Sequence, residues 1–119
     1  MVPLVLENGW MASILPRILE ITAGRLAEIE AERRALQEGG DPGTALLRIG
    51  GVAHKIVGTA DSFGFARLGE LARTVEKECL FPEGADRDAD AWLRLTAAEP
   101  EIDALAQEIA RVLEQARLP

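Results

Sequence analysis

Tyrosine is absent from this chain of 119 residues, histidine and cysteine occur once each, and the aromatic residues are only three Phe and two Trp. A single thiol, Cys79, excludes an intrachain disulfide and suits a reducing compartment. No apolar run reaches the length of a membrane span, and the opening MVPLVLENG lacks the basic region that precedes the apolar stretch of a secretory signal. Lys and Arg form no cluster and the formal net charge is −7. That balance lacks the basic patch of a general nucleic-acid binder and disfavours an anionic membrane surface. Neither the G-x-x-x-x-G-K-S/T loop nor G-x-G-x-x-G occurs, and the length leaves no room for an ATP-binding domain, so autophosphorylation from ATP is not expected. Val and Thr never alternate with polar residues over a run, so no sheet is expected. The expectation is a cytoplasmic protein with neither a nucleic-acid nor a membrane partner.

What is present is a helical composition rich in Ala, Leu, Glu and Arg, with 48% apolar residues, enough for one core. We read residues 1–119 as a single domain, and its length and initial methionine suit a free-standing module. Ser13 to Gln37 reads as one helix, with Leu15, Leu19, Thr22, Leu26, Ile29, Arg33 and Leu36 at the 4-3 spacing of a bundle seam and Pro16 in its first turn. Asn8 to Met11 is expected to add a short turn that lays Trp10 over one end of the core. A second helix runs from about Thr44 to Ser62 and closes on Gly64; a third runs from about Ala66 to Leu80, with Leu68, Leu71, Ala72, Val75 and Cys79 inward. After a turn at Phe81-Pro82-Glu83-Gly84, the stretch from about Arg87 to Arg117 is helical. Its expected core residues are Trp92 and Leu95, then Ile102, Leu105, Ile109, Val112, Leu113 and Ala116, with a break near Ala97 to Glu99 ahead of Pro100. Short connections make these an all-α, antiparallel up-and-down four-helix bundle with an extra N-terminal turn.

The lone histidine sits in Gly50-Gly51-Val52-Ala53-His54-Lys55-Ile56-Val57-Gly58, where three glycines each weaken the helix by about 0.5–1 kcal/mol relative to alanine. With 100° per residue and Ile49 at zero, Ala53, Ile56, Ala60 and Phe63 fall within about 40° of the core direction. His54 falls near about 140°, Leu47 near about 160°, Gly58 near about 180° and Gly51 near about 200°. His54 therefore stands on the outer face, flanked by bare backbone that clears an approach, with Leu47 as an apolar spot on the same strip. The plainer reading is a solvated histidine and glycines that mark close helix packing.

Ala53-His54-Lys55-Ile56-Val57-Gly58-Thr59-Ala60, then Phe63-Gly64, then Leu68, Leu71, Ala72 and Glu76, resembles the histidine-containing phosphotransfer (HPt) domain family. The family's pattern is roughly alanine-histidine-x-leucine-lysine-glycine-serine/threonine-alanine, a phenylalanine/leucine-glycine turn, and a helix ending in leucine-glutamate. The motif around His54 is specific, whereas the flanking helices match in pattern only. The resemblance implies a phosphorelay intermediate. His54 would take phosphate from a receiver-domain aspartate and pass it to another, and Gly58 would let the receiver approach. The partners implied are response-regulator receivers and a sensor (hybrid) histidine kinase. No cofactor is expected on this chain, Mg²⁺ coming with the receiver. One position departs from the family, which often carries lysine three residues after the histidine. Here that residue is Val57, and Lys55 follows His54 directly, about 100° around the helix. The position of a polar residue that hydrogen-bonds the histidine in several members is Glu76. A carboxylate there would accept from Nδ1–H and leave Nε2 as nucleophile; the other reading of Glu76 is a solvated helix residue.

Two further readings compete. One is a helical module that binds a receiver or kinase and inhibits it without carrying phosphate, which Val57 favours and His54 opposes. The other is a metal-binding bundle, which would need inward Glu-x-x-His ligands. Gly51 stands three residues before His54, and the histidine faces out.

Overall fold

The computed structural model describes residues 9–80 and 87–117, with side chains from 13–80 and 90–116. Four helices and no strand lie among the described residues: α1 (Gly9–Gln37), α2 (Pro42–Phe63), α3 (Ala66–Glu78) and α4 (Arg87–Arg117). Each packs on the next and α4 closes against α1, which makes an all-α four-helix bundle. The Phe81-Pro82-Glu83-Gly84 turn lies outside the described residues.

Punctuation between the helices follows local chemistry. Gly39 carries φ 93° after α1. Asp41 then caps α2: its carboxylate accepts from the Thr44 amide at 2.8 Å, and this bond holds the carboxyl below the usual carboxylate range. Pro42 follows in the first turn, where no N–H is needed. At the other end Gly64 has φ 75° and donates to the Ala60 carbonyl, so the chain reverses within two residues into α3. That tight link makes α2 and α3 an antiparallel hairpin.

The core follows the expected stripe on α2, where Leu46, Ile49, Ala53, Ile56, Ala60 and Phe63 are all buried. On α3, Leu68, Ala72, Val75 and Cys79 are buried and Leu71 is half-buried against them. On α1, Leu15, Thr22 and Ile29 are buried and Leu19, Leu26 and Leu36 half-buried. Thr22 satisfies its hydroxyl on the Ile18 carbonyl at 2.8 Å. Arg33 closes this seam as a half-buried cation that reaches Glu99 and Asp103 of α4, each at 3.4 Å.

Sequence expectations on the two long helices are corrected. The N-terminal turn is not separate, because α1 begins at Gly9 and runs on without interruption; Asn8 and the side chain of Trp10 lie outside the described residues. Pro16 is consequently inside α1 rather than in its first turn. Its ring is exposed, and the one bond it forfeits is outweighed by the packing of the turns on either side. Helix α4 is likewise unbroken across Pro100. Its buried positions Ala91, Leu95, Ala98, Ile102, Leu105, Ile109 and Val112 keep one 4-3 stripe through the proline, whose ring faces solvent. Trp92 is displaced from that stripe by one residue and is 55% exposed, and Ala116 is exposed; the small Ala91 and Ala98 occupy the core positions instead.

Cys79 shows how tightly α2 and α3 meet. A Cβ placed on Gly50 would come within 3.0 Å of the Cys79 Cβ, so Gly50 is the glycine that permits close packing. The thiol beneath it is 2% exposed, and burial, with the charge of Glu78 adding to it, pushes its pKa up to about 11. Thiolate is the reactive form. A disulfide reagent at pH 8 is therefore expected to leave the folded protein unmodified and to titrate one thiol on unfolding. Reaction of the folded protein at the rate of a free thiol would contradict this packing.

Candidate functional site

The hairpin of α2 and α3 presents one continuous outer face. Along α2 it carries Leu47, Gly51, His54, Gly58 and Asp61, all exposed. A Cβ on Gly51 or Gly58 would meet nothing within 4 Å, so both glycines border open space on either side of the histidine. Leu47, seven residues and two turns before His54, is 49% exposed.

His54 is held from the neighbouring helix. Its Nδ1 lies 2.6 Å from Oε2 of Glu76, and the two side chains are 75% and 31% exposed. A carboxylate can only accept, so the proton of a neutral imidazole sits on Nδ1 and donates to Glu76. The lone pair of the neutral ring is then on Nε2. This is an imidazole oriented by a second residue and open at its other nitrogen.

Other residues nominated from the sequence are spread around this pair. Lys55 turns to the opposite flank of α2. With Arg48, Gly51 and Val52 it borders a groove of about 480 Å³ against Glu28, Ala31 and Glu32 of α1. His54 and Glu76 are thus brought together, and Lys55 is not gathered with them. Val57 is half-buried against the core. Asp61 forms an ion pair with Arg73 of α3. Arg73 carries no signal of its own in the sequence. Its position one turn before Glu76, on the same side of α3, is the feature that could have drawn attention to it. Among the described residues no group of three or more His, Cys, Asp or Glu side chains could hold a metal ion, and no helix is long and apolar enough to cross a membrane.

Comparison with known proteins bears on this arrangement. The family model of the Hpt domain matches residues 19–116, which takes in most of α1 and all of α2, α3 and the pair at His54. Neither the curated proteins nor the solved structures give a match.

Proposed function

The chain belongs to the Hpt domain family, whose members serve phosphotransfer in two-component systems alongside receivers and histidine kinases, and we propose that it is a cytoplasmic phosphorelay intermediate that accepts phosphate from one receiver aspartate onto His54 and passes it to another. The observation that carries this reading is the 2.6 Å contact between His54 Nδ1 and Glu76 on an otherwise open face.

The step balances without an added base. The Nε2 lone pair forms a bond to phosphorus as the O–P bond of the aspartyl phosphate breaks, and that electron pair leaves with the carboxylate. The Nδ1 proton stays in place. Attack leaves positive charge on the imidazole, and the Glu76 carboxylate stands against it, so the carboxylate both fixes the tautomer and stabilises the phosphorylated ring. Return of the phosphoryl group to a second receiver is the same step reversed. Magnesium brought by the receiver would neutralise charge on the equatorial oxygens.

The test is phosphorylation of the purified chain by a small chemical phosphodonor and by a phosphorylated receiver, read by intact mass at neutral and acid pH. An acid-labile phosphate is expected on the natural sequence and none on His54→Gln. A folded protein that takes no label from either donor would overturn the reading in favour of an inhibitory module that binds a receiver or kinase, the role that Val57 favours.

A further inference from the structure

The register of the α2–α3 hairpin can be read from its closest approaches. Gly50 meets Cys79, and a Cβ on Gly69 would lie 3.6 Å from the Cβ of Ala60. Between those two contacts the helices run antiparallel, so residue 73 of α3 stands level with residue 56 of α2. That is two residues from His54, or about 3 Å along the axis at 1.5 Å per residue. Arg73 also lies three residues before Glu76, so both side chains rise from the same strip of α3. Its guanidinium is half-exposed and turned away from the histidine, toward Asp61. There it borders Gly69, where a Cβ would meet the Asp61 carboxylate at 3.1 Å and the guanidinium at 3.4 Å.

Resting on the phosphotransfer reading, we infer that Arg73 is the cation that binds the phosphoryl group on His54, and that Asp61 holds it aside until the phosphate arrives. In the unphosphorylated protein the anion paired with His54 is Glu76, which the imidazole already engages through Nδ1. A phosphoryl group on Nε2 places two negative charges and three acceptor oxygens on the open side of the ring. A guanidinium matches such a group with paired N–H donors. Arg73 reaches it by rotating its side chain from the Asp61 end of the strip to the His54 end, with the backbone unmoved. The other nearby cations face elsewhere: Lys55 borders the α1 groove, and Lys77 is turned about 100° around α3 from Glu76. No bond is made or broken in this exchange; one ion pair replaces another.

An equilibrium measurement tests it, because an equilibrium constant does not depend on how a receiver docks. The protein is mixed with a phosphorylated receiver, and the phosphate on each partner is quantified once exchange is complete. Arg73→Ala is expected to shift the distribution away from His54 by about two- to fivefold, the range of an exposed charge pair, and Arg73→Lys to recover part of it. Asp61→Asn, which frees the guanidinium, is expected to shift it toward His54 by a similar factor. The opposite signs are decisive, since a purely structural Asp61–Arg73 pair would make both variants err the same way. Shifts of the same sign, or none, with phosphate still on His54, would overturn the assignment of Arg73 alone. A natural sequence that accepts no phosphate would overturn the phosphotransfer reading and this inference with it.

Discussion

Gly58→Gln is expected to abolish transfer from a phosphorylated receiver while leaving labelling by a small phosphodonor intact. Gly58 lies one turn beyond His54, and a Cβ there would meet nothing within 4 Å, so glutamine fits the isolated protein without strain. Helix propensity alone favours the substitution by roughly 0.5–1 kcal/mol, and the melting temperature is expected to rise. The glycine is therefore costly to the fold and useful only to something that approaches from outside. A receiver must bring its aspartate to the Nε2 of His54 across this bare backbone, and a long side chain fills that path. A loss of at least about 100-fold in the transfer rate, or ~2.7 kcal/mol in the barrier, is expected. The small donor needs no such clearance and keeps its rate. Equal loss with both donors would mean that glutamine disturbs the histidine itself; no loss with either would mean that the partner approaches by another route.

Gly50→Leu is expected to do the reverse, damaging the fold first and the site through it. The two glycines stand eight residues apart on one helix, yet a Cβ on Gly50 would already sit 3.0 Å from the Cβ of Cys79, and a longer side chain must displace it. Leucine there must push α2 from α3, at a cost of about 1–3 kcal/mol or more for overpacking a filled interface. The same displacement pulls Glu76 from His54, so phosphate acceptance is expected to fall with either donor. Gly51→Ala, the adjacent position with open space around it, is the control and is expected to gain about 0.5–1 kcal/mol. Chemical denaturation of the two variants, paired with labelling by the small donor, checks both halves. A Gly50→Leu protein as stable as the natural sequence would show that the hairpin is looser than its geometry indicates.

Helix α2 is the element most legible in the sequence, because its apolar residues recur on one face and Gly64 marks its end, although it starts at Pro42, behind the Asp41 cap, rather than near Thr44. The same periodic logic fails at Trp92. A tryptophan carries more apolar weight than an alanine, so it draws the inferred stripe toward itself, whereas the bundle fills those positions with Ala91 and Ala98. Pro100 misleads for a related reason: the proline rule is local, and the continuous buried stripe on both sides of it is not. At the site, the outward position of His54 follows from counting residues around a helix. Its contact with Glu76 does not, since that depends on the register of two helices; the family resemblance nominates Glu76, and the distance comes from the fold. The pairing of Asp61 with Arg73 is illegible in the sequence, because charged residues on exposed faces obey no period.

The reach of Arg33 has a consequence for motion. Its guanidinium touches Glu99 on one side of Pro100 and Asp103 on the other, so a residue of α1 spans the point where α4 has lost a rung of its own ladder. Fraying that starts at the proline must break both contacts together, and it must also expose Ala98 and Ile102. Amide hydrogens of α4 on the two sides of Pro100 should then exchange with solvent as one cooperative unit rather than as two segments. The wall behind the histidine hairpin opens seldom and as a whole, which leaves α2 and α3 a firm backing against which a partner can press.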